Sequence, residues 1–131
     1  MDMGGRKMSQ NNIPSKEDFA RAKAAIRKSD RGLSEVRERI LSRFNNKGVH
    51  EIFLFYSPKT DTFGTYVFYS TERQIEEAAK TGLSDEVKNT VLEELEKVGR
   101  GCRGTIKVEF EFDSHENVER NYEGDYYKRL Y

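Results

Sequence analysis

The sequence predicts an α+β domain, in which helices pack on a small antiparallel sheet of three or more strands. Apolar residues recur at helical three- and four-residue spacing in several segments, whereas three other segments are rich in β-branched and aromatic residues. These segments follow the order ααββααβα, without the strict alternation of strand and helix that a parallel sheet requires. The length of 131 residues suits a single domain.

The chain is predicted to begin with a flexible tail over residues 1–14, followed by one domain over residues 15–131. A first helix is expected over about 15–29, because Ser15 and Asp18 have the spacing of a capping box. Its apolar face carries Phe19, Ala22, Ala25 and Ile26.

A second helix is predicted over about 34–45, and Gly48 follows it as a residue suited to ending a helix. Its apolar residues are Leu33, Val36, Ile40 and Phe44. Two strands come next, at 49–57 and 65–70, joined by a hairpin loop that contains Pro, Asp and Gly. Both strands are apolar on both faces, so we expect them at the sheet centre, with cover on each side or a second contact surface.

Two further helices are predicted, one over about 71–81, ended by Gly82, and one over about 84–98, with Ser84 as its N-cap. The buried stripe of the longer helix is Val87, Val91, Leu92, Leu95 and Val98. The glycine-rich segment 99–104 has the composition of a phosphate-binding loop, but a strand follows it rather than a helix, and we interpret it as a turn.

The strand at 105–113 alternates clearly between apolar and charged residues, which predicts a half-buried antiparallel strand near a sheet edge. One side carries Ile106, Val108, Phe110 and Phe112, and the other carries Lys107, Glu109, Glu111 and Asp113. We therefore expect Phe110 and Phe112 in the core. Ser114 is the predicted cap of a last helix over about 115–122, which Gly124 ends.

The charges are divided between the two parts of the chain. Residues 1–50 contain 12 Lys and Arg against 6 Asp and Glu, whereas residues 51–131 contain 11 against 17. A single cysteine, Cys102, excludes an intramolecular disulfide and suits a reducing compartment. No run approaches the ~18 apolar residues of a membrane helix, and the N-terminus lacks the apolar run of a secretory signal. We expect a cytoplasmic protein with no membrane association.

One short segment suggests chemistry, because His115 lies beside Asp113 and Glu116, and a carboxylate can orient an imidazole or complete a metal site. Zinc normally draws three or four convergent ligands, and the sequence has no spaced His and Cys set. It also lacks the nucleotide-binding and nucleophile-elbow motifs. We predict no metal, no cofactor and no catalytic residue, and the sequence favours a binding protein over an enzyme.

Seven acids lie close together near the C-terminus, interleaved with tyrosines. The candidate partner-binding residues are Glu109, Glu111, Asp113, Glu116, Glu119, Glu123, Asp125, Tyr122 and Tyr126. Like charges so close repel one another unless cations approach, and tyrosine is a frequent anchor in interfaces. The pattern predicts a docking surface for a basic partner, with a solvated surface as the alternative.

A second candidate surface is the basic face of the first two helices, which suits a phosphate backbone. Its members are Arg21, Arg27, Lys28, Arg31 and Arg39. The isoelectric point of about 6.8 argues against nucleic acid, as does a strand that presents acids instead of aromatic and basic residues. A nucleic-acid-associated module is therefore the second hypothesis, and a small hydrolase or nuclease built on the acids is the third.

The segment FEFDSHENVERNYEGDYYKRLY, which follows a hairpin and a helix pair, resembles the C-terminal part of small bacterial immunity proteins. These are cognate inhibitors in polymorphic toxin and contact-dependent inhibition systems, including the YezG-like group. The resemblance covers about residues 50–131 and is based on element order and the FDS…N…G run. The matching positions are Phe112, Asp113, Ser114, Asn121 and Gly124. It implies a cytoplasmic α+β protein without activity of its own, which binds a toxin domain, for example a nuclease with a basic cleft, and blocks it.

Overall fold

The computed structural model describes residues 30–131. The predicted tail over 1–14 and the first predicted helix over 15–29 lie outside the described residues. From residue 30 onward, the structure confirms the α+β class and the predicted order of helices and strands.

The first described helix, α1, spans Leu33–Phe44 and continues into a single 3₁₀ turn over Asn45–Lys47. Its predicted apolar stripe is buried, with Val36, Ile40 and Phe44 at 0% exposure. Gly48 then turns the chain into the sheet with φ of 107°, and an added Cβ would lie 2.9 Å from the Gln74 side chain. Both the backbone angle and the close contact favour glycine at this position.

In the described part of the chain, the sheet contains three strands in the order β1-β2-β3, formed by Val49–Ser57, Thr62–Tyr69 and Val108–Ser114. β1 and β2 form the predicted antiparallel hairpin, although β2 begins three residues earlier than expected. β2 is the central strand, and β1 lies at an edge rather than at the centre.

The third strand corrects the prediction of an antiparallel sheet, because β3 pairs with β2 in parallel. The chain leaves β2 at Tyr69 and re-enters the sheet with Val108 opposite Phe63, at the start of β2. Helices α2 (Glu72–Thr81) and α3 (Leu83–Lys97) form the crossover that a parallel pair requires. An alternating strand sequence indicates which face is buried, but it does not indicate the direction of the strand.

The crossover helices have the predicted extents, with one difference at a cap. Thr71 and Gln74 form a capping box at the start of α2. Ser84, predicted as the N-cap of α3, lies inside that helix and is 92% buried, with its hydroxyl 2.9 Å from the Tyr69 hydroxyl. The residue at the cap position is Gly82, which has φ of 86° and no side chain to donate or accept.

The core lies between one face of the sheet and helices α1, α2 and α3. Its fully buried members from the strands and long helices include Ile52, Val67, Tyr69, Val87, Val91 and Leu95. Burial of an aliphatic or aromatic side chain of this size contributes about 1.5–3 kcal/mol. Phe110 and Phe112 face this core as predicted, but they are only half-buried because β3 is an edge strand.

Residues 30–131 cover only one end of the opposite, outer face of the sheet. Helix α4 spans His115–Tyr122, with the predicted Ser114 cap, and is followed by a short helix, α5 (Tyr126–Leu130), that was not predicted. α5 lies over Phe68, whose ring is 4.9 Å from that of Tyr126, and Phe68 is fully buried. Phe55 and Tyr66, farther along the same face, stay partly exposed. The two apolar faces of the hairpin therefore have different neighbours.

Candidate functional site

The three acids of β3 project from the outer face of the sheet, and two of them are bound by Arg129 of α5. The Arg129 Nε donates to Asp113 Oδ2 at 2.6 Å, and its Nη2 donates to the Glu111 carboxylate. The guanidinium also lies 5.8 Å from the Phe68 ring centroid. Burial by itself lowers the pKa of Arg129, but the hydrogen bonds and charges of the two carboxylates raise it more, so the net shift is upward.

Asp113 also organises the start of α4. Its Oδ1 accepts from the Ser114 backbone N–H at 2.7 Å, and its Oδ2 accepts from the Asn117 amide at 3.0 Å. Asn117 in turn accepts from the Asn121 amide at 2.6 Å. The Asp113 side chain is only 16% exposed, so this acid is part of the framework that joins β3, α4 and α5.

Glu116 fastens α4 to the start of α2. Its carboxylate accepts from the Glu72 backbone N–H at 2.9 Å, one of the free donors of the first helical turn. Arg120, one turn later on α4, forms an ion pair with the Glu72 side chain.

Glu119 belongs to a cluster built around two stacked imidazoles. The rings of His50 and His115 lie 3.9 Å apart at 22°. His115 Nε2 is 3.4 Å from Glu119 Oε2, and its Nδ1 is 2.7 Å from the Tyr126 hydroxyl. Burial, followed by repulsion from His115, lowers the pKa of His50. Burial also raises the pKa of Tyr126 to about 12, with the charges of nearby carboxylates adding to it.

The last two acids of the predicted surface hold the C-terminal helix. Asp125 is the N-cap of α5 and accepts from the backbone N–H groups of Tyr127 and Lys128. Glu123 ends α4 with φ of 58° and pairs with Lys128 at 2.7 Å. Tyr122, also predicted to bind a partner, is half-buried in the last turn of α4.

Glu109 differs from the other six acids. It is exposed on the outer face, and no described residue pairs with it. The predicted acidic surface is therefore divided: six acids have intramolecular partners or capping roles, and one projects freely within the part of the chain from residue 30 onward.

A hollow of about 600 Å³ lies beside Glu109, on the uncovered half of the outer face. Its lining includes the aromatic side chains of Phe55, Tyr66 and Tyr131, together with Gly64. The ring of Phe55 lies 5.9 Å from that of Tyr66 and 6.2 Å from that of Tyr131, and Tyr131 is 76% exposed. The hollow thus combines aromatic walls with one carboxylate.

The alternative basic surface is only partly within the described chain, because Arg21, Arg27 and Lys28 lie outside it. Arg31 donates to the backbone carbonyls of Val98 and Gly99 at 3.1 and 3.2 Å. Arg39 pairs with Glu35 at 2.8 Å and with Glu94 at 3.2 Å. Both described members of this surface therefore have intramolecular partners.

Asp113 and His115, which the sequence suggested as a candidate chemical site, contact other side chains of the fold. Asp113 is bound by Arg129, while His115 is directed toward Tyr126 and Glu119. Between residues 30 and 131, no group of three or more His, Cys, Asp or Glu side chains is arranged to hold a metal ion.

Sequence reasoning missed Arg129, Gly64 and the aromatic walls of the hollow. One local signal was available for α5, because Asp125 before Tyr126 and Tyr127 has the form of an N-cap at a helix start. The pairing of Arg129 with β3 depends on contacts that are 16 and 18 residues apart in sequence. No local pattern indicates such a contact.

No protein-family model matches this chain, and comparison with curated proteins and with solved structures gave no significant match. None of the helices from residue 30 to the last residue is both long and apolar enough to cross a membrane.

Proposed function

We propose that this protein is an immunity- or inhibitor-type binding protein, which neutralises a bacterial toxin domain in the cytoplasm by direct protein–protein contact. The observation that carries the proposal is the half of the outer sheet face that residues 30–131 leave uncovered. There, partly exposed aromatic side chains and Glu109 line one hollow, and no described residue pairs with Glu109.

The other acids near the C-terminus support this choice of surface, because they already have intramolecular partners. Glu111 and Asp113 are satisfied by Arg129, and Asp125 caps a helix. Groups that already hold the fold together are poor anchors for a partner, because a partner would have to displace their intramolecular contacts. Glu109 and the aromatic rings beside it could bind a partner without breaking an ion pair within residues 30–131.

The chemistry of the surface favours a basic protein as partner. Aromatic side chains are enriched at interface centres, where they bury large areas at low cost in conformational entropy. An acidic group at the rim steers a basic partner toward the surface and opposes an acidic one. A toxin nuclease with a basic cleft has these properties, and blocking it requires no catalysis by the inhibitor.

The experiment is co-expression with a candidate toxin domain, to be sought in the neighbouring genes, followed by calorimetric titration of the purified pair. We expect growth rescue by the native chain, and loss of rescue and of affinity with Glu109→Lys. Glu76→Lys is the matched control, because Glu76 is also an exposed carboxylate, on α2, with no partner among the described residues. Reversal of Glu111 is unsuitable, since it would break the ion pair with Arg129.

Equal affinity of the native, Glu109→Lys and Glu76→Lys chains would argue against this surface. A titration against generic RNA and DNA at increasing salt tests the second hypothesis. Binding that weakens steeply with salt would identify a nucleic-acid module instead, because phosphate contacts release counterions.

A further inference from the structure

The outer face of the sheet repeats one arrangement along the parallel pair of strands. At each step, a residue of β2 lies beside an acid of β3. Successive steps are two residues apart on both strands and run toward the start of each strand. The steps are Phe68 with Asp113, Tyr66 with Glu111, and Gly64 with Glu109.

The chain occupies the first step with its own arginine. Arg129 donates to Asp113 and Glu111 while its guanidinium lies 5.8 Å from the Phe68 ring centroid. Its side chain is 16% exposed. An arginine held by β3 carboxylates against a β2 aromatic ring is therefore a binding arrangement that this sheet already forms.

Arginine also lies against other aromatic residues of the hairpin. The guanidinium of Arg37 is 5.5 Å from the Phe53 centroid, and that of Arg100 is 4.8 Å from the Tyr56 centroid. In the described chain, no cation lies over Phe55 or Tyr66, the two partly exposed rings of the outer face. These rings form the walls of the hollow at the last step.

Gly64 creates the space at that step. A Cβ added to it would meet no atom within 4 Å, and its backbone does not need the left-handed conformation. The position is part of the lining of the hollow of about 600 Å³, which also borders the Glu109 carboxylate. The third step thus has the acid and the aromatic rings, but no arginine from the described chain.

We propose that the hollow over Gly64 is a seat for an arginine side chain of the partner protein, a second guanidinium site beside the one that Arg129 fills. This inference rests on the proposed function and names the anchor of that interaction. The guanidinium would stack on Tyr66 or Phe55 and donate to Glu109. Arginine fits better than lysine, because its planar group is weakly hydrated, stacks on rings and forks onto a carboxylate.

The seat is tested without the partner, by NMR titration of the full chain with N-acetyl-arginine methylamide. N-acetyl-citrulline methylamide, a neutral near-isostere, is the control. We expect saturable shifts at the amides of Gly64, Tyr66 and Glu109 with a Kd on the order of millimolar. The citrulline compound should bind at least about threefold more weakly. Equal binding of both compounds, or no saturable shift at these amides, would overturn the proposal.

Two variants sharpen the test. Glu109→Gln should weaken arginine binding about two- to fivefold, as expected for the loss of an exposed ion pair. Glu76→Gln should leave it unchanged. Gly64→Val should abolish the shifts while the melting temperature is kept or raised, because valine suits a strand and the added atoms enter open space. Full arginine binding by folded Gly64→Val would place the site elsewhere.

The seat and the proposed function can fail separately. If the toxin domain binds the native and Gly64→Val chains equally well, the seat is wrong and the function stands. If arginine binds the hollow but the toxin domain does not bind the chain, the seat stands and the function is wrong. Spermidine is a third probe, and tighter binding of this polyamine than of the arginine amide would overturn the assignment to a protein side chain.

Discussion

Arg129 determines how the C-terminal acids behave. Seven acids within a short segment would repel one another if all were solvated, but the guanidinium of Arg129 pairs with two of the three acids on β3. Because Arg129 and Asp113 each have only 16% of their side chain exposed, their interaction is less screened than an ordinary surface ion pair. The third β3 acid, Glu109, has no ion-pair partner among residues 30–131.

We expect Arg129→Gln to lower the free energy of unfolding by about 1–3 kcal/mol, because it leaves Asp113 without a charged donor in a partly buried position. Lys128→Gln is the control, since Lys128 pairs with Glu123 on the surface, and should cost no more than about 0.5 kcal/mol. Urea unfolding at neutral pH measures both. Equal stability of the two variants would show that the Arg129 ion pair contributes little.

Helix α4 connects three parts of the fold at the level of elements. It begins at the Ser114 cap, contacts α2 through Glu116, and carries His115, which stacks on His50 of β1. Two imidazoles 3.9 Å apart cannot both be charged without repulsion. The packing of β1 against α4 and α5, and with it the stability of the fold, should therefore depend on pH.

The direction of this dependence follows from the lowered pKa of His50. As the pH falls below about 6.5, the unfolded chain takes up a proton at this residue before the folded chain does. Stability is therefore expected to fall with pH until the folded His50 also protonates. We expect the urea midpoint to decrease less between pH 7.5 and 5.5 in His50→Gln than in the native chain. Identical decreases would mean that other groups account for the effect.

At the scale of the molecule, residues 30–131 form a three-stranded sheet with a hydrophobic core on one face and partial cover on the other. β2 has hydrogen-bonded neighbours on both sides and contains five buried residues, whereas α5 is short and contains no buried residue. The surface proposed for binding thus lies on the less covered side of the sheet formed by residues 30–131, beside the short helix α5.

Hydrogen exchange should reflect this arrangement. Amides of β2 are expected to exchange most slowly, by global unfolding, and those of α5 much faster, by local opening. Residue-resolved exchange measured by NMR tests the order. Slower exchange in β1 or β3 than in β2 would show that the central position of β2 does not determine how well its amides are protected.

Local patterns were sufficient to predict most of the described elements. The spacing of Val36, Ile40 and Phe44 predicts the buried stripe of α1, because helical periodicity and burial have the same period. The alternation along β3 assigns Phe110 and Phe112 to the core side for the same reason. Residue types at caps, such as Ser114, predict where helices start, because the interaction involves a side chain and a backbone group only three residues apart.

The sequence by itself therefore determined the class, most of the described elements and the buried faces, whereas the tertiary structure decided what the acids do. The direction of β3 depends on where the crossover of α2 and α3 returns the chain, and neither its alternation nor its composition contains that information. Likewise, composition treats Glu109 and Asp113 as equivalent carboxylates on one strand. The fold brings Arg129 to Asp113 and places Glu109 beside the hollow at Gly64, because pairing depends on distance in space rather than on position in the chain.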